Sequence, residues 1–425
     1  MVEGHLAPAQ RVACGLRPSA GDASTWAAVQ GAYRFLHNPR ITLRALAAPL
    51  VAEACRGAAE ACDRYVLAVH DWSLLRFRRH HAKKDRQTVG SHAWKEGYEL
   101  HACLAVGDRA GEPLAPLSMS LHAVDGAHWT GADEIQPIQS VLDEFDATMT
   151  LVESQPLGKP TVHIIDAEAD SVAHFRQWSQ TPGRLFLVRA DDRLVEFEGQ
   201  ERLASSVQAS LHERGAFHRV RSVLWHGQSA EQWTAEAPVR LLRAGQQNRA
   251  DGSRRRIVGP PLPLRLVFAE VRTATGELLA VWRLLTNAPS DVDAPTIALW
   301  YYWRWRIESY FKLAKSAGLH LEQWQQRTAD AVIGRLLVAA MACALVWRLA
   351  RSSEPESQET KRLLIRLSGR QMHRGKSFTE PALLAGLWAL LQIQTALAQC
   401  SPEELTRLTN LRLAQPRAGP DSKDV

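Results

Sequence analysis

The sequence predicts an α/β protein with a mixed sheet, a β-rich stretch within it, and helical regions at both ends. Three observations carry this expectation. From residue 64 to 194, strand-like runs with apolar centres are interleaved with helical patterns, the order of an α/β sheet. From 195 to 286 the runs are short, β-like and broken by Gly, Pro and charged turns. Before and after these regions the apolar residues recur at helical spacing. At 425 residues the chain is too long for one ordinary domain, and 46% hydrophobic content supplies a core.

Residues 1–20 are rich in Pro, Gly and Ala and show little pattern. Ser24-Thr25 starts a helix, WAAVQGAYRFLHNP, that stops at Asn38-Pro39, and Thr42 caps a second, LRALAAPLVAEACRGAAE. RYVLAVHDW reads as a strand buried on both faces. GYELHACLAVGD and EPLAPLSMSLHAV are two more strands, joined by a turn at Gly107–Gly111. A helix over Asp133–Leu151, the strand PTVHIID, the helix ADSVAHFRQW and the strand RLFLVRAD follow.

The β-rich part holds VRSVLWHG, VRLLRAG, LRLVFAEVRT and LLAVWRLLTN, with Gln246–Arg256 (QQNRADGSRRR) as a polar basic loop. Asp293–Leu319 is then one helix, capped by Asp293, with Pro295 in its first turn and a stop at Gly318. Ala331–Leu349 is a buried helix whose apolar run, bounded by Arg335 and Arg348, is too short to span a bilayer. Ser352–Glu359 is a polar linker, and helices follow around Lys361–Leu367 and Glu380–Ala398, then a disordered tail from Pro416. The expected units are 1–60, 61–194, 195–289, 290–350 and 351–425.

Composition narrows the function classes. A net charge of +6 and a pI of about 9.1 lean toward an anionic partner. Six cysteines without CxxC or zinc spacing fit a reduced, cytoplasmic protein. The first ten residues contain no signal-peptide apolar region, and no membrane association is expected.

The chemistry concentrates in two strands and one helix. Asp71, in VHDW, and Asp166, in IIDAEAD, stand at strand ends, where functional side chains collect. On the Asp293–Leu319 helix, Tyr301, Arg304, Glu308 and Lys315 fall within roughly 60° of one another at about 100° per residue. Two Asp residues and Glu308 suit two Mg²⁺ ions, which prefer carboxylate and phosphate oxygens and serve phosphodiester chemistry. Bland alternatives stand beside these readings: turn-capping aspartates and a surface salt-bridge stripe. Glu168 either assists a metal or is solvated, Asp170 caps the next helix, and His70 is a strand residue. The basic stretches RFRRHHAKKDRQ (Arg76–Gln87) and RADGSRRR are either phosphate contacts or solvated loops.

IIDAEAD followed far downstream by YYWRWRIESYFKLAK resembles the DDE transposases of bacterial insertion sequences. In particular it resembles the transposon-five-like group, whose Tyr-Arg-Glu-Lys signature is spaced Y-x2-R-x3-E-x6-K. Tyr301, Arg304, Glu308 and Lys315 meet that spacing. GAYRFLHNPRIT (Gly31–Thr42) and VWRLLTN are also similar to that group, and the resemblance covers roughly residues 24–400. It implies an RNase H-like mixed-sheet core interrupted by a β-rich insertion. It implies Asp71, Asp166 and Glu308 as a catalytic triad holding two Mg²⁺, with Mn²⁺ able to substitute. Tyr301, Arg304 and Lys315 would grip double-stranded transposon-end DNA.

By the same resemblance Trp282 stacks on a flipped base, the alternative being a core Trp, and Arg189 lies near the DNA, the alternative being a surface charge. The implied activity is cut-and-paste transposition into target DNA by a homodimer. Relatives begin with a further helical segment that MVEGHLAPAQ does not resemble, so residues 1–60 are expected to be a truncated DNA-end-binding region. The competing expectation is a non-catalytic inhibitor or decayed transposase that binds DNA or a partner subunit.

Overall fold

The computed structural model describes residues 25–77, 80–89, 96–248, 253–372 and 377–413. The expectations for residues 1–20, for the tail from Pro416 and for residues 78–79 and 249–252 of the basic stretches lie outside these residues.

Two helices lead, α1 (Thr25–Leu36) and α2 (Leu43–Ala61). Thr42 caps α2 by accepting the Ala45 N–H, as its position predicts. The sheet begins with β1 (Val66–Leu75), a two-residue β2 (Gln87–Thr88), β3 (Glu96–Gly107), β4 (Pro113–Ala123) and β5 (Gly126–Trp129). Next come α3 (Val141–Glu153), β6 (Thr161–Ile165), α4 (Val172–Gln180) and β7 (Leu185–Arg189). The helix expected from Asp133 starts only at Val141: Pro137 interrupts the pattern, and Ser140 caps α3 through the Asp143 N–H.

The pairing is mixed. β1 is antiparallel to β3 and parallel to β6, and β6 is parallel to β7. The order β4–β3–β1–β6–β7 therefore places β1 and β6 side by side at its middle.

The β-rich region comprises β8 (Leu194–Phe197), β9 (Gln200–Leu203), α5 (Ala204–Glu213), β10 (His218–Trp225) and β11 (Gln228–Leu241). It continues with β12 (Gly245–Asn248), β13 (Arg254–Ile257), β14 (Leu262–Arg272) and β15 (Leu278–Thr286). Most of it extends the same sheet, because β15 pairs with β7 and is followed outward by β14, β11, β8 and β9. The two described flanks of the stretch read as a basic loop are strands, β12 and β13, paired antiparallel with Gln246 opposite Arg256 and Asn248 opposite Arg254. Helix α5 was not expected.

The last elements are α6 (Ala294–Tyr302), α7 (Trp305–Lys312), α8 (Ala329–Arg351), α9 (Pro355–Ser368), α10 (Glu380–Gln399) and α11 (Pro402–Leu413). The polar linker expected at Ser352–Glu359 is largely the first turn of α9, where Pro355 is tolerated because that N–H needs no partner. Helix α11 is a further unexpected element.

Alternation along the strands buries both faces of the sheet. Ile164, Leu187 and Leu284 belong to an apolar cluster with α2 and α8, while their neighbours Ile165, Val188 and Leu285 belong to another with α3, α4 and α5. Helices α8 and α10 are long and apolar enough to cross a bilayer by length and composition, but α8 is largely buried inside this fold. Among the described residues Cys55, Cys62, Cys103, Cys343 and Cys400 are free thiols.

Buried polar groups gather under β1. His122 Nε2 lies 2.6 Å from Glu144 Oε2, and His101 Nδ1 lies 3.4 Å from Glu144 Oε1. Burial alone raises the Glu144 carboxyl, but hydrogen bonds and charge from His101 and His122 outweigh it and hold the group at about 2. A carboxylate depressed in the native state adds stability above its unfolded pKa of about 4.3 and loses it as pH falls toward the native value. Glu144→Gln is therefore expected to lower the urea midpoint most at neutral pH, with the deficit shrinking on acidification below about pH 4.3. A deficit independent of pH across that range would contradict this account.

Candidate active site

Asp71 does not end its strand, as the sequence suggested. It lies within β1, opposite Ala102 of β3. The reason is asymmetric pairing: β3 follows β1 as far as Leu75, whereas β6 follows it only to Val69, opposite Ile164. Asp166 comes directly after β6, so both aspartates stand where the parallel strands part. Asp166 also caps the short turn Ala167–Ala169 by accepting the Ala167 N–H at 2.7 Å, as the turn-capping reading expects. Asp170 does not cap α4. Its carboxylate accepts the Asp191 N–H and pairs with Arg193, while Ser171 occupies the capping position.

The helix expected over Asp293–Leu319 is present in pieces. Asp293 caps α6 as predicted, accepting the Thr296 N–H at 2.9 Å. At Trp303–Arg304 the hydrogen bonds tighten to i−3, with Arg304 N to Tyr301 O at 3.1 Å and Ile307 N to Arg304 O at 3.1 Å. Beyond α7 the chain widens into a π turn, Leu313–Ala317. Gly111 fixes the joint from outside. Its φ is +69°, a Cβ there would lie 2.5 Å from the Trp303 ring, and its carbonyl accepts Arg306 Nε–H at 2.7 Å.

This geometry points Arg304 inward, and its side chain is only 6% exposed. One guanidinium meets three carboxylates: Nη1 lies 3.1 Å from Asp71 Oδ2, and Nη2 lies 3.1 Å from Asp166 Oδ2 and 2.9 Å from Glu308 Oε1. Three residues far apart in sequence, on β1, after β6 and on α7, thus converge on one point. Tyr301 donates its hydroxyl to Asp166 Oδ1 at 3.1 Å. Arg189, the last residue of β7, donates Nε–H to the same oxygen.

The charges respond accordingly. Burial raises the Asp71 carboxyl, against the pull of Arg304. Burial also works to raise Asp166, but Arg304, the Ala167 N–H and Arg189 prevail and lower it. Glu308 is raised by burial, with Arg304 opposing. Glu168 keeps solvent access along one side, yet the protein atoms packed round its carboxyl, then the charges of Asp71 and Asp166, push it up to about 7. Its side chain is exposed, as the solvated reading expects, and it feels the charge of the nearby aspartates.

Other expected residues are placed differently. Trp282, on β15, is 8% exposed and packs against Trp225 and Tyr301, with ring centroids 5.9 and 5.7 Å away. Lys315 sits half-buried in the π turn. Burial lowers its ammonium, Glu322 opposes that shift, and Arg76 adds to it. The basic stretch after Asp71 turns partly inward. Lys83 is 2% exposed and donates to Trp324 O at 2.8 Å and to Gln326 O, and Arg86 pairs with Glu96.

Sequence reasoning also passed over Trp305. It is 48% exposed beside Arg304, and it lines a cavity with Trp225, His226, Tyr302 and Trp303. Its only signal was an aromatic on the outward side of the helix.

Among the described residues no group of three or more His, Cys, Asp or Glu is disposed as a ready metal site. The guanidinium explains why: the carboxylates are spaced to hydrogen-bond a planar cation, not to close to about 2.1 Å round Mg²⁺. The donor set itself fits such an ion, being hard carboxylate oxygens directed at one point.

An α/β sheet that collects carboxylates round a cation where its parallel strands part is the class this fold and site define. The family described as transposase DDE domain matches residues 63–345, more than half of the chain, and the chain belongs to that family. The function is thus that of a transposase, acting on DNA, in a family generally dependent on divalent metal. Among curated proteins none matches the chain.

Proposed function

We propose that this chain is the transposase of an insertion sequence with the Tyr-Arg-Glu-Lys signature, and that it moves its element by cut-and-paste. The observation that carries the reading is the convergence of Asp71, Asp166 and Glu308 on one guanidinium. The strand order β4–β3–β1–β6–β7, antiparallel then parallel, supports an RNase H-like core, with 195–289 as its insertion and 290–350 as its completion.

Asp71, Asp166 and Glu308 would hold two Mg²⁺, or Mn²⁺, which supply activation of the attacking oxygen and charge neutralisation of the leaving one. Arg304 and Tyr301 orient the carboxylates and then the scissile phosphate. Arg189 steadies Asp166. Lys315 and Arg76 add phosphate contacts at the rim. Trp282 supports Tyr301 from behind, while the exposed Trp305 offers a face for a base unstacked at the element end. The route is a nick by water at each end, attack of the freed 3′-hydroxyl on the opposite strand to give a hairpin, reopening, and joining to target DNA. Two copies holding two ends would act in the cytoplasm at the nucleoid.

The test is purified protein with a linear duplex carrying the element's own end, with Mg²⁺ or with chelator. Nicked and hairpin products that need Mg²⁺ are expected. Binding of that duplex without any strand cleavage would overturn the catalytic reading in favour of a binding-only role.

A further inference from the structure

Arg304 does more here than line the site. Its guanidinium sits among three carboxylates at 2.9–3.1 Å, almost fully buried, and flanked by the Tyr301 and Trp305 rings at 5.8 and 5.6 Å. Three acidic groups, Asp71, Asp166 and Glu308, face two arginines, Arg304 and Arg189. Without the Arg304 charge, like carboxylates would repel one another and drive proton uptake. Yet the arginine is not fully satisfied: Nε–H is buried with no acceptor among the described residues. A phosphate oxygen pair is the natural acceptor for the Nε and Nη edge of a guanidinium.

We propose that Arg304 is the resident counter-cation of the metal-free site, and that a DNA phosphate draws it off the carboxylates so that divalent metal can take its place. A guanidinium and a metal ion, both cations, compete for the one point at which these carboxylate oxygens converge. The swap leaves both partners satisfied, with Arg304 bidentate on phosphate and the carboxylates on metal. DNA and metal then bind cooperatively, and linkage requires that each tighten the other by the same factor. The protein is thereby kept from loading metal, and from cutting, until DNA is seated. This inference rests on the assignment of Asp71, Asp166 and Glu308 as metal ligands made above.

The test measures Mn²⁺ affinity by titration calorimetry or by the loss of the free-ion paramagnetic signal, on full-length protein, with and without a short blunt mixed-sequence duplex at low salt. The wild type is expected to bind Mn²⁺ at least about tenfold more tightly with DNA, within the usual range of coupling. Arg304→Ala is expected to bind Mn²⁺ tightly in both conditions, with the coupling gone. Arg304→Lys, which keeps a charge but not the fork, is expected to fall between them and guards against misfolding of the alanine variant. Equal Mn²⁺ affinity of the wild type with and without DNA, or unchanged coupling in both variants, would overturn the counter-cation role alone. Failure of every form to bind Mn²⁺, even with DNA, would instead overturn the assignment of the carboxylates as metal ligands, and the present proposal with it.

Discussion

Glu308→Ala is expected to keep DNA binding while losing Mg²⁺-dependent strand cleavage by about 10³-fold or more. The magnitude is that of several kcal/mol of transition-state charge stabilisation, at about 1.4 kcal/mol per factor of ten. Glu308 lies on the side of α7 that meets the core, and its carboxylate contributes one of three oxygens that converge on Arg304. Its removal takes away a donor without opening a hole, because the side chain is more than a third exposed. The fold should therefore survive, and gel-shift affinity for end DNA should stay within a few-fold. Cleavage of end DNA at the wild-type rate would sink the assignment of this residue. A variant that neither binds nor cleaves would point to lost structure, which circular dichroism would reveal.

Lys83→Met is expected to lower stability by about 2 kcal/mol, the usual order of cost for buried carbonyls left without a donor. Lys83 is enclosed, lies 4.5 Å from the Phe77 ring centroid, and satisfies two backbone carbonyls, of Trp324 and Gln326. Methionine fills the space but leaves both carbonyls bare. Its neighbour Asp85 completes the same tie, accepting the Ala329 N–H at the start of α8 and the Tyr98 hydroxyl. The loop after Asp71 is thereby bound to the segment after Glu308. A shifted urea midpoint, with an unchanged salt slope of DNA binding, is the expected pair of results, since a lysine inside the fold releases no counterions from DNA. A reduced salt slope with normal stability would instead return Lys83 to the DNA-contact reading. Burial also lowers the Lys83 ammonium to about 8. Between there and the unfolded value of about 10.4 the unfolded chain binds the extra proton, so this group's contribution to stability rises with pH in that window.

These two residues mark what the sequence shows and what it hides. The Arg304–Glu308 contact was legible because residues four apart meet on one helix face. Caps at Thr42 and Asp293 were legible because they act within four residues. Lys83 was not: its burial depends on segment 319–328, which lies some 240 residues away, and a run of basic residues looks the same inside or outside. The place of Asp71 in mid-strand was hidden for a similar reason, since the early end of β6 is a property of its partner. The i−3 joint at Trp303–Arg304 has no local punctuation, because the constraint comes from Gly111 on another turn. Trp282 and Trp305 show the same limit, as spacing alone does not say which aromatic faces inward.

The way β15 joins β7 has a mechanical consequence. Leu284 of β15 is in register with Arg189, the Ala190 N–H bonds to Arg283 O at 2.7 Å, and Arg189 in turn holds Asp166. The β-rich segment is thus continuous with the sheet that carries Asp71 and Asp166, like the cantilevered end of one beam rather than a plate on a pivot. A load applied to its outer strands would be carried by the ladder of hydrogen bonds through β15 toward β7 and Asp166.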